Sequence, residues 1–190
     1  MVANVANGGV RWGSVLRIVA WGGAALLLLL PLVAMQFTQE VNWGPGDFLV
    51  MGLLLGGCAG IVHLATRLSD DLAYLAGAVV AVGTSFLLVW INLAVGFIGG
   101  EGNPANLLFG GVVLIAVIGS FVARFRPRGM ARAMLAAAAA EGAIAALVWF
   151  GGLGGTEPPG PAALLALTSL FALPWLIAAW LFSAAARRQL

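Results

Sequence analysis

The chain has 190 residues, of which 62% are hydrophobic and 8% charged, with a mean hydropathy of +1.06. Soluble domains carry roughly 25% charged residues, so this composition excludes an ordinary water-soluble domain and makes the bilayer the solvent. The formal net charge of +2, carried on nine arginines without a lysine, is too small and too dispersed for a nucleic-acid partner.

Residues 1–13 are polar and Gly-rich and read as a tail. A first helix is expected over 14–36, with Pro31 near its far end. Arg11 and Arg17 ahead of this apolar run resemble a signal peptide. The run is as long as a membrane span and lacks a small-x-small cleavage site, so it reads as a retained helix. The segment 37–46 (FTQEVNWGPG) follows, with a Gly-Pro-Gly turn signal and Trp43 suited to the headgroup level.

A second helix is expected over 47–66, with Asp47 as N-cap. Gly52, Gly56 and Gly60 fall on one face of it and would allow close helix approach, within the bundle or against a second copy. Residues 67–71 (RLSDD) form a charged turn. The third helix starts at Leu72. About 20 residues at roughly 1.5 Å each cross the hydrocarbon core, yet apolar residues continue to Ile98. The helix is therefore tilted and overlong, or its last turns leave the membrane, or 92–99 partly unwinds.

A fourth helix is expected over 104–123, with Asn103 as cap and Pro104 at the first position. The basic stretch 124–132 (RFRPRGMAR), suited to anionic lipid heads, leads to an alanine-rich fifth helix over 131–150. A Gly/Pro-rich loop at 151–161 precedes a sixth helix over 162–183, bent at Pro174. The arginines occupy alternate connections: 11 and 17, then 67, then 124, 126, 128 and 132, then 187 and 188. The other connections carry only Glu40, Asp47, Glu101 and Glu157. By the positive-inside rule the expected fold is an all-α polytopic membrane protein with six transmembrane helices and both termini cytoplasmic. No internal repeat is legible.

The chemistry-bearing residues are few. Glu40, Asn42 and Asp47 from the first outer loop, and Asn92, Glu101, Asn103 and Asn106 around the second, could converge, because a five-residue turn joins the helices between those loops. Carboxylates and amides there would suit a cation or a polar small molecule; for Asp47, Asn103 and Asn106 capping and turn chemistry is a full account and is the favoured reading. Asn92 lies in an apolar run, where an unpaired amide is unfavourable, and calls for an interhelical hydrogen bond or a ligand.

Glu141 falls near mid-bilayer on the fifth helix, where an ionisable residue is a functional candidate by default. Its alternative is a protonated acid bonded to a neighbouring helix, and Asn92, Thr84 and Ser85 are the nearest polar groups by depth. His63 reads as a structural interfacial residue. One histidine and one cysteine, Cys58, exclude a multi-histidine metal site and an intrachain disulfide. Phosphate-loop, zinc and serine-hydrolase motifs are missing, so no cofactor is expected and no nucleophile–base pair is visible.

The segments FTQEVNW (37–43), LLVWINLAVGFIGGEGNPAN (87–106) and ARFRPRGMARAM (123–134) resemble a family of small uncharacterised bacterial multi-span inner-membrane proteins. The resemblance covers residues 35–150 and implies a bacterial membrane location, without site residues. The residues themselves suggest a small transporter or channel-like protein. In it Glu40, Asp47 and Glu101 gather cations at an outer mouth, and Glu141 acts as an intramembrane proton or cation site. The alternative is an accessory subunit that contacts a larger membrane complex through its glycine face and polar hairpin. An intramembrane enzyme using Glu141 or Glu101 comes third. A water path to Glu141 would favour transport, and a dry core with Glu141 bonded to a helix would favour the accessory role.

Overall fold

The structure, a computed structural model, describes residues 12–98, 102–152 and 160–188. The described residues are helical with short connections, and six helices are long and apolar enough to cross a membrane. They are α1 (Trp12–Ala34), α2 (Pro45–Leu68), α3 (Leu72–Ala94), α4 (Leu107–Val122, entered by a short 3-10 turn, Pro104–Asn106), α5 (Pro127–Phe150) and α6 (Gly160–Arg187). Their outward faces carry side chains such as Leu26, Leu30, Leu53, Leu114 and Leu173, all exposed. Water would not tolerate that display along six helices, whereas lipid tails do.

The chain divides after Asp70 into two compact units. In the first, α1 and α2 pack as an antiparallel pair. Gly52 faces Leu28, whereas a Cβ at Gly56 or Gly60 would meet nothing within 4 Å. The glycine ladder is therefore not a close seam along its length, and only its first rung meets a side chain of α1.

Helix α2 begins at Pro45, two residues before the expected start. Asp47 serves the cap from inside the helix, its Oδ2 accepting the Gly44 N–H at 2.8 Å. Proline suits the first position because its missing N–H would go unpaired there anyway.

In the second unit α3, α4, α5 and α6 run in sequence, and each packs on its neighbours, with α6 returning to α3. The result is a four-helix bundle with α5 and α6 the most extensively packed pair. Small residues set the closest approaches. A Cβ at Gly77 of α3 would lie 3.3 Å from Leu181 and the Phe182 ring of α6. One at Gly119 of α4 would lie 2.7 Å from the Cβ of Ala133 on α5. Backbones that close gain dispersion contacts, the main attraction available between helices in lipid.

The basic connection is shorter than the sequence suggests. Helix α5 starts at Pro127 rather than near Ala131, which places Arg128 on the helix as well as Arg132. Two successive left-handed residues, Arg124 (φ 50°) and Phe125 (φ 58°), turn the chain back. For side chains with a Cβ this conformation is disfavoured by roughly 1–2 kcal/mol each. The Tyr74 hydroxyl donates to the Phe125 carbonyl at 3.0 Å and helps hold the turn. At the same end Tyr74 packs edge-on against Phe182 (5.2 Å between centroids).

Asp71 closes this end of the bundle. Its Oδ1 caps α3 by accepting the Tyr74 N–H at 2.9 Å, and its Oδ2 accepts from Arg188 beyond α6 at 3.2 Å. Slight burial pushes the carboxyl up, but the Tyr74 amide, the Arg188 hydrogen bond and charge, and the Ala73 amide outweigh it and hold the acid below its ordinary value. The depressed form is the ionised one. Its contribution is therefore fully present above about pH 4, the ordinary Asp value, and is lost as pH falls through the lower folded-state value. Asp71→Ala should lower the thermal stability of the purified protein by about 1 kcal/mol, the usual worth of an N-cap. Asp71→Asn should keep most of that stability and lose the acid-dependent part. Melting curves of the three proteins between neutral and acid pH measure both effects.

Candidate functional site

Helix α3 stops at Ala94, short of the apolar run's end at Ile98. Gly96 adopts φ 67°, a left-handed conformation open to glycine without strain. The chain then folds back, burying Phe97 (2% exposed) and Ile98 (1%). Of the three expectations for this run, unwinding is the one observed, and it begins after Ala94. Backbone freed from a helix must find partners inside the protein when water is excluded. Asn106 supplies them: its Oδ1 accepts the Phe97 N–H at 2.9 Å and the Ile98 N–H at 2.8 Å, and its Nδ2 donates to the Ile98 carbonyl at 3.2 Å.

Asn92 joins the same hairpin, its Nδ2 donating to the Asn106 carbonyl at 2.8 Å. Its Oδ1 is buried without a hydrogen bond. Asn103 caps the turn as expected, accepting the Ala105 N–H at 2.9 Å. The folded-back Phe97 packs on Phe109 of α4 (4.4 Å between centroids) and edge-on against Phe171 of α6 (5.6 Å).

Glu141 lies on the buried stripe of α5 with Met134, Ala137, Ile144 and Val148. It is roughly 21 Å along the axis from Pro127 and about 14 Å from Phe150, so it sits deep in the span. It is 0% exposed, which leaves no space for a water molecule against it, and neither carboxyl oxygen has a hydrogen-bond partner.

Trp175 occupies the matching stripe of α6, with Leu164, Thr168, Phe171 and Phe182, and is also 0% exposed. Its indole N–H is close enough to act on the Glu141 carboxyl, yet the pair misses hydrogen-bond geometry and Nε1 also lacks a partner. Among the described residues, these atoms and Asn92 Oδ1 are the buried side-chain polar atoms left unsatisfied. Phe171 is one helical turn from Trp175, so the Phe97–Phe109–Phe171 layer lies on the side of the pair toward the folded-back hairpin.

The remaining hydroxyls are occupied locally. Thr84 and Ser85 donate to the carbonyls of Val80 and Ala81, and Thr168 to those of Leu164 and Leu165. Thus Trp175, rather than Thr84, Ser85 or Asn92, is the polar neighbour of Glu141. Asn92 lies two residues from the end of α3 and bonds the hairpin instead.

Glu40, Asn42 and Asp47 are exposed, and all belong to the first unit. Glu101 lies outside the described residues. No group of three or more histidine, cysteine or acidic residues with metal-binding potential occurs among the described residues.

His63 sits between two donors, Trp21 Nε1 at 3.4 Å from its Nδ1 and Arg67 Nε at 3.2 Å from its Nε2. A neutral imidazole accepts at one nitrogen only, so a given tautomer satisfies one of these contacts. Sequence reasoning passed over Trp175. Tryptophan in an apolar helix reads as lipid anchor or core, and only the partner across the seam distinguishes it.

The fold and the orientation of its apolar faces define a multi-pass, all-α membrane protein. Comparisons with models of known protein families, with curated proteins and with solved structures find no match.

The hairpin yields a prediction. Asn106→Ala strips partners from two buried N–H groups and a carbonyl, each loss worth about 1–3 kcal/mol. Asn103→Ala removes a cap worth about 1 kcal/mol. Thermal unfolding in detergent should show a clearly larger loss for the Asn106 variant, and equal losses would show that the clamp does not hold the hairpin.

Proposed function

We propose that this protein is a small transporter or channel-like protein of the bacterial inner membrane, with both termini cytoplasmic, and that Glu141 is its intramembrane proton or cation site. The observation that carries this reading is Glu141 itself: deeply placed, fully buried, and hydrogen-bonded through neither oxygen. A carboxyl with a purely structural role in a membrane normally bonds a neighbouring helix, because an unsatisfied polar group in an apolar medium is disfavoured by several kcal/mol. A carboxyl that must gain and release an ion cannot be permanently tied.

The dryness around Glu141 fits an occluded state. The Phe97–Phe109–Phe171 layer separates it from the hairpin end, and the packed small residues of α5 lie toward the other end. The folded-back segment, held by the Asn106 amide and by the packing of Phe97, is the element whose displacement would open that layer. The orientation rests on the arginines at alternate connections, and the bacterial location on the resemblance of the hairpin and basic segments.

Two observations favour the accessory reading: the core around Glu141 is dry, the condition set for that role, and one face of the first unit is open. Helix α1 has no buried residue, and Gly56 and Gly60 of α2 face open space. A second copy, or a larger complex, seated on Gly52, Gly56 and Gly60 would cover such a face, as the lipid bilayer does in its absence.

Purified protein in proteoliposomes, loaded in turn with dyes sensitive to protons, sodium and potassium, tests the leading reading. Imposed proton, sodium and potassium gradients should reveal flux for at least one ion. Glu141→Gln should reduce it by tenfold or more, because the amide cannot exchange a proton or carry charge. Asn92→Ala should have a smaller effect, since Asn92 bonds the hairpin and not the carboxyl. Wild-type vesicles that pass none of these ions would remove the basis for the transport reading and leave the accessory one.

A further inference from the structure

Accepting Glu141 as the working site, its neighbour decides which ion the site takes. At its edge Trp175 offers a donor, the indole N–H, and no lone pair to share; its ring face, which could attract a cation, is fully packed and has no exposed surface. A donor directed at a carboxyl favours negative charge on it and opposes a positive ion beside it. A metal cation would also need several oxygen ligands. The Thr168 hydroxyl on the same stripe of α6 is committed to two backbone carbonyls, and it lies about 10 Å along the axis from Trp175. With the seam closed, neither side chain has exposed surface and water cannot complete a coordination shell; with it open, the indole N–H still offers a metal ion no ligand. A proton needs no space.

We propose that Trp175 is the specificity-determining partner of Glu141, its indole N–H hydrogen-bonding the carboxylate once the proton leaves, so that the pair binds protons and refuses metal cations. The exchanged proton is the one on the carboxyl oxygen, passed to water when the seam opens; the indole keeps its own hydrogen throughout. The two groups already lie within reach and miss hydrogen-bond geometry, so a small displacement of α6 makes or breaks the bond.

Pro174 supplies the compliance. It precedes Trp175 inside α6 and removes the N–H that would otherwise bond the Leu170 carbonyl, which weakens the helix at that turn. Few other charges bear on the pair. Helix α4 carries no ionisable residue, α3 carries only Tyr74 in its first turn, α6 carries one only at Arg187 in its last turn, and on α5 the nearest is Arg132, about 14 Å away along the axis.

The test is an infrared pH titration of the purified protein in lipid. It follows the carbonyl stretch of the protonated acid, assigned by its loss in Glu141→Gln. In the wild type the band should disappear along one titration curve as pH rises, and added sodium, potassium or magnesium should leave the midpoint unmoved. Trp175→Phe, which removes the N–H, should shift the midpoint upward by about one pH unit or more, the worth of a hydrogen bond to a charged acceptor.

Because the smaller ring could disturb packing, the same shift should follow site-specific replacement of Trp175 by its benzothienyl isostere, which keeps the shape and lacks the N–H. The proposal is overturned if both replacements titrate like the wild type, if the band never titrates, or if a metal ion competes with the proton and lowers the midpoint. A midpoint shift without proton flux in vesicles overturns the transport reading while the Glu141–Trp175 pairing stands.

Discussion

Inside a bilayer no polar group can borrow a hydrogen bond from water, and this constraint shapes nearly every local feature of the protein. Thr84, Ser85, Ser120, Thr168 and Ser183 each turn their hydroxyl back to a carbonyl of the preceding helical turn. The one place where α3 gives up its helix before the apolar run ends is also the place where an asparagine supplies the missing partners. Asn106 offers an acceptor and a donor in one rigid amide, and the free backbone groups of Phe97 and Ile98 present the complementary pattern. Without that match the segment would have continued as helix or moved out to the headgroups.

Against this background the Glu141–Trp175 seam stands apart. An acid and an indole are the two groups there that most need partners, and each is buried to the point of excluding water. An ionised carboxylate in that position lacks a counterion as well as a hydrogen bond, so this packing accommodates the neutral acid. The surrounding residues do not make the site polar. Alanine and aliphatic side chains bring α5 and α6 close, and the aromatic layer of Phe97, Phe109 and Phe171 closes the bundle one turn away. The same tight packing that stabilises the pair of helices thus keeps the acid dry.

Much of the architecture was legible in the residues. The number of spans followed from apolar runs of membrane length, and several boundaries from specific chemistry, such as Asn103-Pro104 at the entry to α4. Other boundaries moved for equally specific reasons. Pro127 took the first position of α5 because two left-handed residues had already reversed the chain, a conformation that Arg124 and Phe125 do not advertise. Asp47 satisfies a backbone group of the cap, but from three residues inside the helix, since Pro45 was available to begin it. The glycine ladder looked like a seam because small residues at that spacing permit one; permission does not create a partner, and two of its three rungs meet nothing.

What the sequence determined by itself was the solvent, the six helices and the two polar residues, Asn92 and Glu141, that an apolar environment would have to accommodate. These are one-dimensional properties, set by composition, run length and the expense of burying a charge or an amide. Tertiary structure decided which partners those residues meet. Asn92 met a carbonyl across a hairpin, and Glu141 met an indole 34 residues further along the chain on the neighbouring helix. Pairings of that kind depend on the rotation and axial register of one helix against another. Periodicity tells which face of a helix is buried, but only the packed bundle shows what that face touches.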